Sequence, residues 1–378
     1  MKRRKILSLI GTRPEAVKMA PVLLELARHR DRVESILVST AQHREMLDHI
    51  LSVFGIVPDV DLNIMRPNQT LFDITHRTLA GAKDLIEHLS PDLLLVQGDT
   101  TTVFAASLAA FYLKTPVGHV EAGLRSYDLA NPYPEEMNRC FASLVATLHF
   151  APTPRARQNL LREGIASERI FVTGNPVVDA LQTALPKLRV DSIGGIPREA
   201  FGDGRMILLT AHRRENHGSP LENICLAIRE LLRLHPHVHC VYPVHLNPQV
   251  QQSVYRLLGG VERVHLIPPL DYWSFIRLMA RSSLILTDSG GVQEEAPSLG
   301  KPVLVLRKVT ERPEAVEAGL AKVIGTDAQT IIAETSALLC DADLYNRIVQ
   351  RENPYGDGKA ARRIVDAILS YFAGTTDR

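Results

Sequence analysis

Seven stretches of this chain carry residue types that handle phosphates or protons. GTRPE at Gly11–Glu15 sets a turn-forming glycine ahead of Arg13, with Lys18 one turn further on. An arginine at a helix N-terminus welcomes an anion, although an ordinary strand-to-helix turn with a surface arginine reads the same way. VQGDTTT at Val96–Thr102 puts Asp99 just past an apolar run. The aspartate or a threonine could cap the next helix, or the acid could work in a cleft. HVEAGLRS at His119–Ser126 and PYPEEMNR at Pro132–Arg139 add Glu121, Glu135 and Arg139. Glu135 and Arg139 are four apart, so they share a helix face and can pair as a solvent-exposed salt bridge. Three acids, Asp99, Glu121 and Glu135, arriving at one sheet edge suit proton transfer better than that plain reading does.

TAHRRENHG at Thr210–Gly218 places His212, Arg213 and Arg214 after a later strand. The glutamate of a zinc-protease helix is missing beside His212, so His212 reads as a phosphate or acid–base partner. His235, His237 and His239 alternate at a strand start and read as a solvent-facing edge; no metal site is expected. TDSGGVQEEAPSLG at Thr287–Gly300 offers Ser289, Gly290 and Gly291 as a diphosphate cradle at a helix start, with Glu294 and Glu295 one turn in, within reach of ribose hydroxyls. RKVTERPE then supplies Arg307, Lys308 and Arg312, of which Arg312 could clamp a phosphate bidentately. Neither GxGxxG after a strand nor GxxxxGK[ST] occurs, which disfavours a bound nicotinamide and a P-loop nucleotidase.

Strands must bring these motifs together. Short apolar runs at Lys5–Ile10, Val33–Val38, Asp92–Gln97, Pro116–Val120, Leu148–Ala151 and Ile170–Thr173 alternate with helical patterns. The uniform DLLLVQ run implies a strand covered on both faces. A second series follows at Met206–Thr210, Val238–Tyr242, Val264–Ile267, Leu284–Thr287, Pro302–Leu306 and Lys322–Gly325. Strand–helix alternation with short loops predicts doubly wound parallel sheets. Between the series, Leu185–Gly204 is rich in glycine and proline and reads as a hinge. The expected division is an N-terminal domain over 1–185, a linker over 186–204, a C-terminal domain over 205–358, and a last helix over 359–378. Ligands of such sheets sit beyond the carboxyl ends of the strands, so a shared cleft is expected to hold the ligand.

Composition narrows the classes. At 378 residues the chain suits two domains, and 43 Lys+Arg against 42 Asp+Glu gives a net charge of +1, with no excess to hold a nucleic-acid backbone. Hydrophobic residues at 45% and charged residues at 22% fit a globular protein. No run is long enough to span a bilayer. The basic, apolar start at MKRRKILSLIG stops too soon for a signal peptide, so a first strand and a cytoplasmic protein are expected. Cys140, Cys225, Cys240 and Cys340 form no CxxC pair and suggest no disulfide framework.

These motifs resemble the bacterial non-hydrolysing UDP-N-acetylglucosamine 2-epimerases. The resemblance runs from GTRPEAVKMAP through AQHREMLD, QGDTTT, GHVEAGLRS, PYPEEMNR, TAHRREN, YPVHLNP, TDSGGVQEEAPSLG and TERPE to NPYGDG. It implies a GT-B-like fold of two Rossmann-like domains, a homodimer, a cell-envelope polysaccharide role and no dissociable cofactor. It also implies a final helix that crosses back to the first domain. Its reaction would interconvert UDP-N-acetylglucosamine and UDP-N-acetylmannosamine. By position, Arg13, His212, Ser289, Gly290, Gly291, Glu295 and Arg312 would hold UDP, with Phe275 near the uracil. Lys18, Asp99, Glu121, Glu135 and Arg139 would line the sugar. A second UDP-N-acetylglucosamine would act as activator near Gln42, His43, Glu45, Asn68, Glu135, Arg213 and His245. Glu45 replaces a familiar glutamine and Asn68 a basic residue, for which the adjacent Gln69 could compensate. Pro14 and Glu15 favour the non-hydrolysing branch.

The implied chemistry has a physical logic. The sugar's C2 proton has no neighbouring carbonyl, so either C3 or C4 is first oxidised, which needs a nicotinamide, or UDP leaves C1 first; the missing dinucleotide fingerprint favours departure. A 2-acetamidoglucal forms and UDP then adds back. Alternatives are epimerisation of a related UDP-amino sugar (a diacetamido uronic acid or a 6-deoxy sugar), a glycosyltransferase of the same fold, and a non-enzymatic UDP-sugar sensor. The three N-domain acids count against a transferase.

Overall fold

Every residue of the strand Leu93–Gln97 is buried, which a strand achieves only inside a sheet covered on both faces. The computed structural model of the protein, which describes residues 3–40, 44–64, 66, 69–187, 205–310 and 312–375, builds two such sheets. The chain divides into two compact units, Met1–Lys187 with Tyr355–Arg378, and Leu188–Pro354. Of the expected linker, 188–204 lies outside the described residues.

Unit 1 runs β1 (Arg4–Ile10), α1 (Arg13–Ala27), β2 (Val33–Ser39), α2 (Arg44–Phe54), β3 (Val60–Asp61), α3 (Leu71–Leu89), β4 (Leu93–Gln97) and α4 (Thr101–Tyr112). It continues with β5 (Val117–Val120), α5 (Glu135–Val145), β6 (Leu148–Ala151), α6 (Pro154–Arg162), β7 (Ile170–Val172) and α7 (Pro176–Ala184). Its seven strands are all parallel, in the order β3-β2-β1-β4-β5-β6-β7. Leu7, Leu9, Leu94, Val96, Val103 and Ala106 form a core between the sheet and the α3–α4 layer. The buried face of α4 consists of small residues, Thr102, Val103, Ala105, Ala106, Ser107, Ala109 and Ala110, so the helix packs with no bulky side chain on that face.

Unit 2 runs β8 (Arg205–Thr210), α8 (Ser219–Leu234), β9 (Val238–Pro243), α9 (Pro248–Leu258), β10 (Val264–Ile267), α10 (Tyr272–Arg281) and β11 (Leu284–Thr287). It continues with α11 (Gly290–Ser298), β12 (Val303–Val305), α12 (Pro313–Glu317), β13 (Ala321–Val323), α13 (Ala328–Cys340) and α14 (Ala342–Val349). Its six strands are parallel, in the order β10-β9-β8-β11-β12-β13. Ile207, Leu209, Leu231, Val254, Leu284 and Ile331 anchor its core.

The last helix, α15 (Ala360–Thr375), belongs to unit 1 and packs on α1 and α7. Its start is tied down by Asp179 of α7, which accepts the N–H groups of Ala360 and Ala361 at 3.1 and 2.9 Å. Those are orphan donors of a helix N-terminus, and a buried carboxylate satisfies them. Burial raises the Asp179 pKa while these bonds lower it. Among the described residues, no helix is long and apolar enough to cross a membrane.

Candidate functional site

A parallel sheet leaves a crevice at its carboxyl edge where neighbouring strands send their loops in opposite directions. Each unit has one such place: between β1 and β4 in unit 1, and between β8 and β11 in unit 2. The GTRPE, QGDTTT, TAHRREN and TDSGG motifs follow these four strands. In both units a buried carboxylate bridges the two loops.

In unit 1 the bridge is Glu15, 1% exposed. One oxygen accepts the N–H groups of Gly11 and Thr12 at 2.7 and 2.6 Å; the other accepts the Thr100 hydroxyl at 2.6 Å. Burial raises its pKa, and the hydrogen bonds pull in the opposite direction. Thr100 also caps α4 through the Val103 N–H, so the cap is the threonine and Asp99 remains available.

Asp99 and Glu121 leave the adjacent strands β4 and β5. Gly98 stands between them with φ of 79°, and a side chain there would reach toward the Glu121 carboxylate. Glu121 is 7% exposed and itself adopts φ of 65°, a left-handed conformation that costs a non-glycine residue about 1 kcal/mol. Three donors converge on its carboxylate: Lys18 Nζ, Gln97 Nε2 at 2.5 Å and Asn175 Nδ2 at 3.0 Å. Asp99 receives Arg139 Nη2 at 2.5 Å on Oδ2, and its backbone carbonyl accepts Asn138 Nδ2 at 2.9 Å.

The Glu135–Arg139 salt bridge that their spacing allows is not the arrangement found. Arg139 turns to Asp99, forty positions away, with Glu136 also 3.4 Å from it. Glu136 is buried and accepts the N–H groups of Ser126 and Tyr127, at 3.0 and 2.9 Å, fixing the loop after β5. Glu135 opens α5 and is half-buried; Arg13 opens α1 and is exposed.

Beneath the acids lies His119 on β5, fully buried, with Nε2 bonded to the Gly98 carbonyl at 2.8 Å. Because a carbonyl only accepts, Nε2 carries the proton. Burial pushes the His119 pKa down to about 4, and that of its cross-strand neighbour His149 to about 3, so both are neutral near pH 7.

In unit 2 the bridge is Asp288. It is fully buried and accepts the backbone N–H groups of His212 and Arg213, both at 2.8 Å, and Asn216 Nδ2 at 2.9 Å. The His212 ring lies 5.2 Å from the His245 ring, centroid to centroid, with the planes 11° apart. Burial lowers the His212 pKa and Asp288 opposes that shift. Ser289 precedes α11, which begins with Gly290, and its hydroxyl makes no capping bond; the space beside Gly291 is open. Arg312 Nε is held by Glu294, which is 5% exposed, so Glu294 supports the arginine rather than facing outward. Gln293 links the Ser289 carbonyl to the Thr310 hydroxyl, at 3.2 and 2.5 Å, and Thr310 Oγ1 accepts the Arg312 N–H at 3.0 Å. Glu295 accepts the Tyr272 hydroxyl at 2.9 Å, and Phe275 sits half-buried on the same helix, α10.

Of the residues implied for a second ligand, Gln42, His43 and Asn68, and the side chain of Glu45, lie outside the described residues. Gln69 donates to the Ile64 carbonyl at 2.7 Å, and His245 Nδ1 accepts the Asn247 N–H at 3.1 Å. Gln97, Asn138, Asn175, His119, Gln293 and Asp288 were not singled out by sequence reasoning. Most follow or precede a motif residue by one or two positions, which is the signal that could have found them.

The sequence model of the family described as UDP-N-acetylglucosamine 2-epimerase matches residues 25–369. The chain is 53% identical over 372 residues to the UDP-N-acetylglucosamine 2-epimerase of Salmonella typhimurium, covering 97% of this chain and 99% of that protein. It is 52% identical over 369 residues to the enzyme of the same name from Neisseria meningitidis, with the same two coverages of 97% and 99%. The crystal structure of a Neisseria meningitidis UDP-GlcNAc 2-epimerase bound to UDP-GlcNAc is similar, with a TM-score of 0.85, 51% identity, and coverage of 97% of this chain and 100% of that one. The two parallel-sheet domains with helices on both faces match these GT-B-like structures. Motifs, sheet order and full-length similarity agree, and the chain belongs to the UDP-N-acetylglucosamine 2-epimerase family.

Proposed function

We propose that the protein inverts C2 of UDP-N-acetylglucosamine to give UDP-N-acetylmannosamine, reversibly, with unit 2 taking the UDP and unit 1 the sugar. The observation that carries the reading is the pair of carboxylates at adjacent strand ends, each with its own cation: Glu121 with Lys18, and Asp99 with Arg139. Inversion at one carbon needs a proton removed from one face and delivered to the other, by acid–base groups on both faces or by rotation of the intermediate, and two carboxylates at one edge suit the first.

In the reading we favour, Arg13, Arg312 and the Ser289–Gly291 turn stabilise the charge that develops on UDP as its bond to C1 breaks. A carboxylate among Asp99, Glu121 and Glu135 takes the C2 proton, and the C–H electron pair becomes the C1=C2 bond of 2-acetamidoglucal. UDP then re-adds at C1 while a second group protonates C2 from the opposite face. His212 gives a proton to the departing diphosphate and recovers it on re-addition. Phe275 meets the uracil and Glu295 the ribose. The same ligand class at a second site, near Gln69, Arg213 and His245, would act on His212 through the adjacent His245 ring.

An NMR time course with UDP-N-acetylglucosamine tests the proposal. The expected result is partial conversion to the manno epimer with no lasting free UDP. Unchanged substrate, or steady accumulation of UDP and free sugar, would contradict it.

A further inference from the structure

Asp288 is a buried carboxylate that no step above uses. It spends Oδ2 on three donors: the His212 and Arg213 N–H groups and Asn216 Nδ2. Its other oxygen, Oδ1, is buried and makes no hydrogen bond among the described residues. His212 Nδ1 lies 3.7 Å from Oδ1. One side of the carboxylate thus fixes the His212 backbone, and the other faces the ring of the same residue.

An ionised carboxylate can only accept. If Nδ1 carries a proton, a small ring rotation completes a hydrogen bond to the orphan oxygen. If Nδ1 carries a lone pair, two acceptors face each other where Asp288 is fully buried, and the oxygen stays unsatisfied. The nearby ring of His245 restricts how far His212 can tilt away.

We propose that Asp288 is a positioning residue for His212: it selects the tautomer with the proton on Nδ1, so that Nε2 is the nitrogen that exchanges a proton with the diphosphate. This rests on the assignment of His212 to the leaving UDP. The titratable and charged groups around His212 are Asp288 from the loop after β11, His245 from the loop after β9, and Arg213 and His217 on its own segment. The basic neighbours and burial disfavour the imidazolium; Asp288 favours it. His217 also contacts the His212 carbonyl, at 3.3 Å, and is itself held by Gln249 at 2.9 Å.

Asp288→Asn tests this in the full-length protein. The asparagine oxygen can keep the three donors, while its amide then points a donor at His212 Nδ1 and forces the opposite tautomer. Long-range proton–nitrogen NMR on histidine-labelled protein reads the tautomer, with His212 assigned by its loss in His212→Gln. The wild type should show the Nδ1–H form, and Asp288→Asn the Nε2–H form with a His212 titration midpoint lower by about one pH unit or more. UDP affinity, measured by calorimetry across pH, should lose its protonation-dependent gain at a correspondingly lower pH in the variant. An Nε2–H tautomer in the wild type, or a variant with unchanged tautomer and titration, would overturn the proposal. If Asp288→Asn fails to fold, the wild-type tautomer alone decides. None of these readouts needs epimerisation, so a protein that shows them but leaves UDP-N-acetylglucosamine unchanged would sink the proposed function and leave this inference standing.

Discussion

Replacing Glu121 by glutamine probes the centre of the unit 1 site. The side chain keeps its size but loses its charge, and the Lys18 ammonium loses a counter-ion in surroundings where the two side chains are 14% and 6% exposed. Breaking a pair this buried costs about 3–5 kcal/mol. The new amide also sets a donor against a site where three donors already converge, adding about 1–3 kcal/mol. If Lys18 is changed to methionine in the same molecule, part of that loss returns, so the double-mutant cycle should show a coupling of about 2–3 kcal/mol. The assay is hydrogen exchange of the β4 and β5 amides, because Trp273, the chain's single tryptophan, lies in unit 2 and does not report on unit 1. Turnover should fall at least about 100-fold, as expected when a positioned acid–base group is lost, while UDP affinity stays within a few-fold. Additive effects within about 0.5 kcal/mol would show the pair to be energetically idle. Unimpaired turnover would remove Glu121 from the chemistry.

Three further outcomes follow from the same geometry. Asp99→Asn, which leaves Arg139 facing a neutral amide, should depress turnover by about 100-fold or more with UDP binding retained; full activity would refute its assignment. Arg312→Ala should weaken UDP binding by about tenfold or more, and Glu294→Gln, which loosens the arginine's buried partner, should weaken it less; calorimetry that finds unchanged affinity for both would count against the clamp. Stability should fall on acidification below pH 6.5, because the unfolded chain protonates His119 and His149 while the folded protein, with values of about 4 and 3, does not. Each histidine contributes a loss of about 2 kcal/mol at pH 5 relative to pH 7.5. Glu15, raised by burial, works in the opposite sense as it takes up a proton. Urea midpoints that do not change between those two pH values would contradict the burial argument.

Much of the architecture was legible because its signals are local. DLLLVQ could only be a strand covered on both faces, and the second series of apolar runs matches β8 to β13 within one or two residues. The two-residue β3 left no such trace, since Val60–Asp61 has neither length nor periodicity. The order of strands, and hence the two places where loops diverge, is a matter of long-range pairing that a run of residues does not encode by itself. The site shows the same division. Motif acids and basic residues were found by type and position, but their partners were not. Arg139 has an acid one turn back at Glu135, yet it turns to Asp99 because the β4 loop brings that carboxylate to the α5 N-terminal turns. Glu294 looked like a ligand group by its place in α11 and is instead the buried support of Arg312. Asp288 and His119 act from beneath the loops, and neither residue type nor spacing distinguishes a supporting carboxylate or imidazole from an ordinary one.

Solvent-derived hydrogen at C2 is the most direct test of the account. Incubated in D₂O with UDP-N-acetylglucosamine, the protein should return both epimers carrying deuterium at C2 and none elsewhere on the ring, with UDP still attached. Epimerised product that keeps its original C2 hydrogen would contradict the account, in which the proton taken by one carboxylate is replaced from solvent by a second group on the other face.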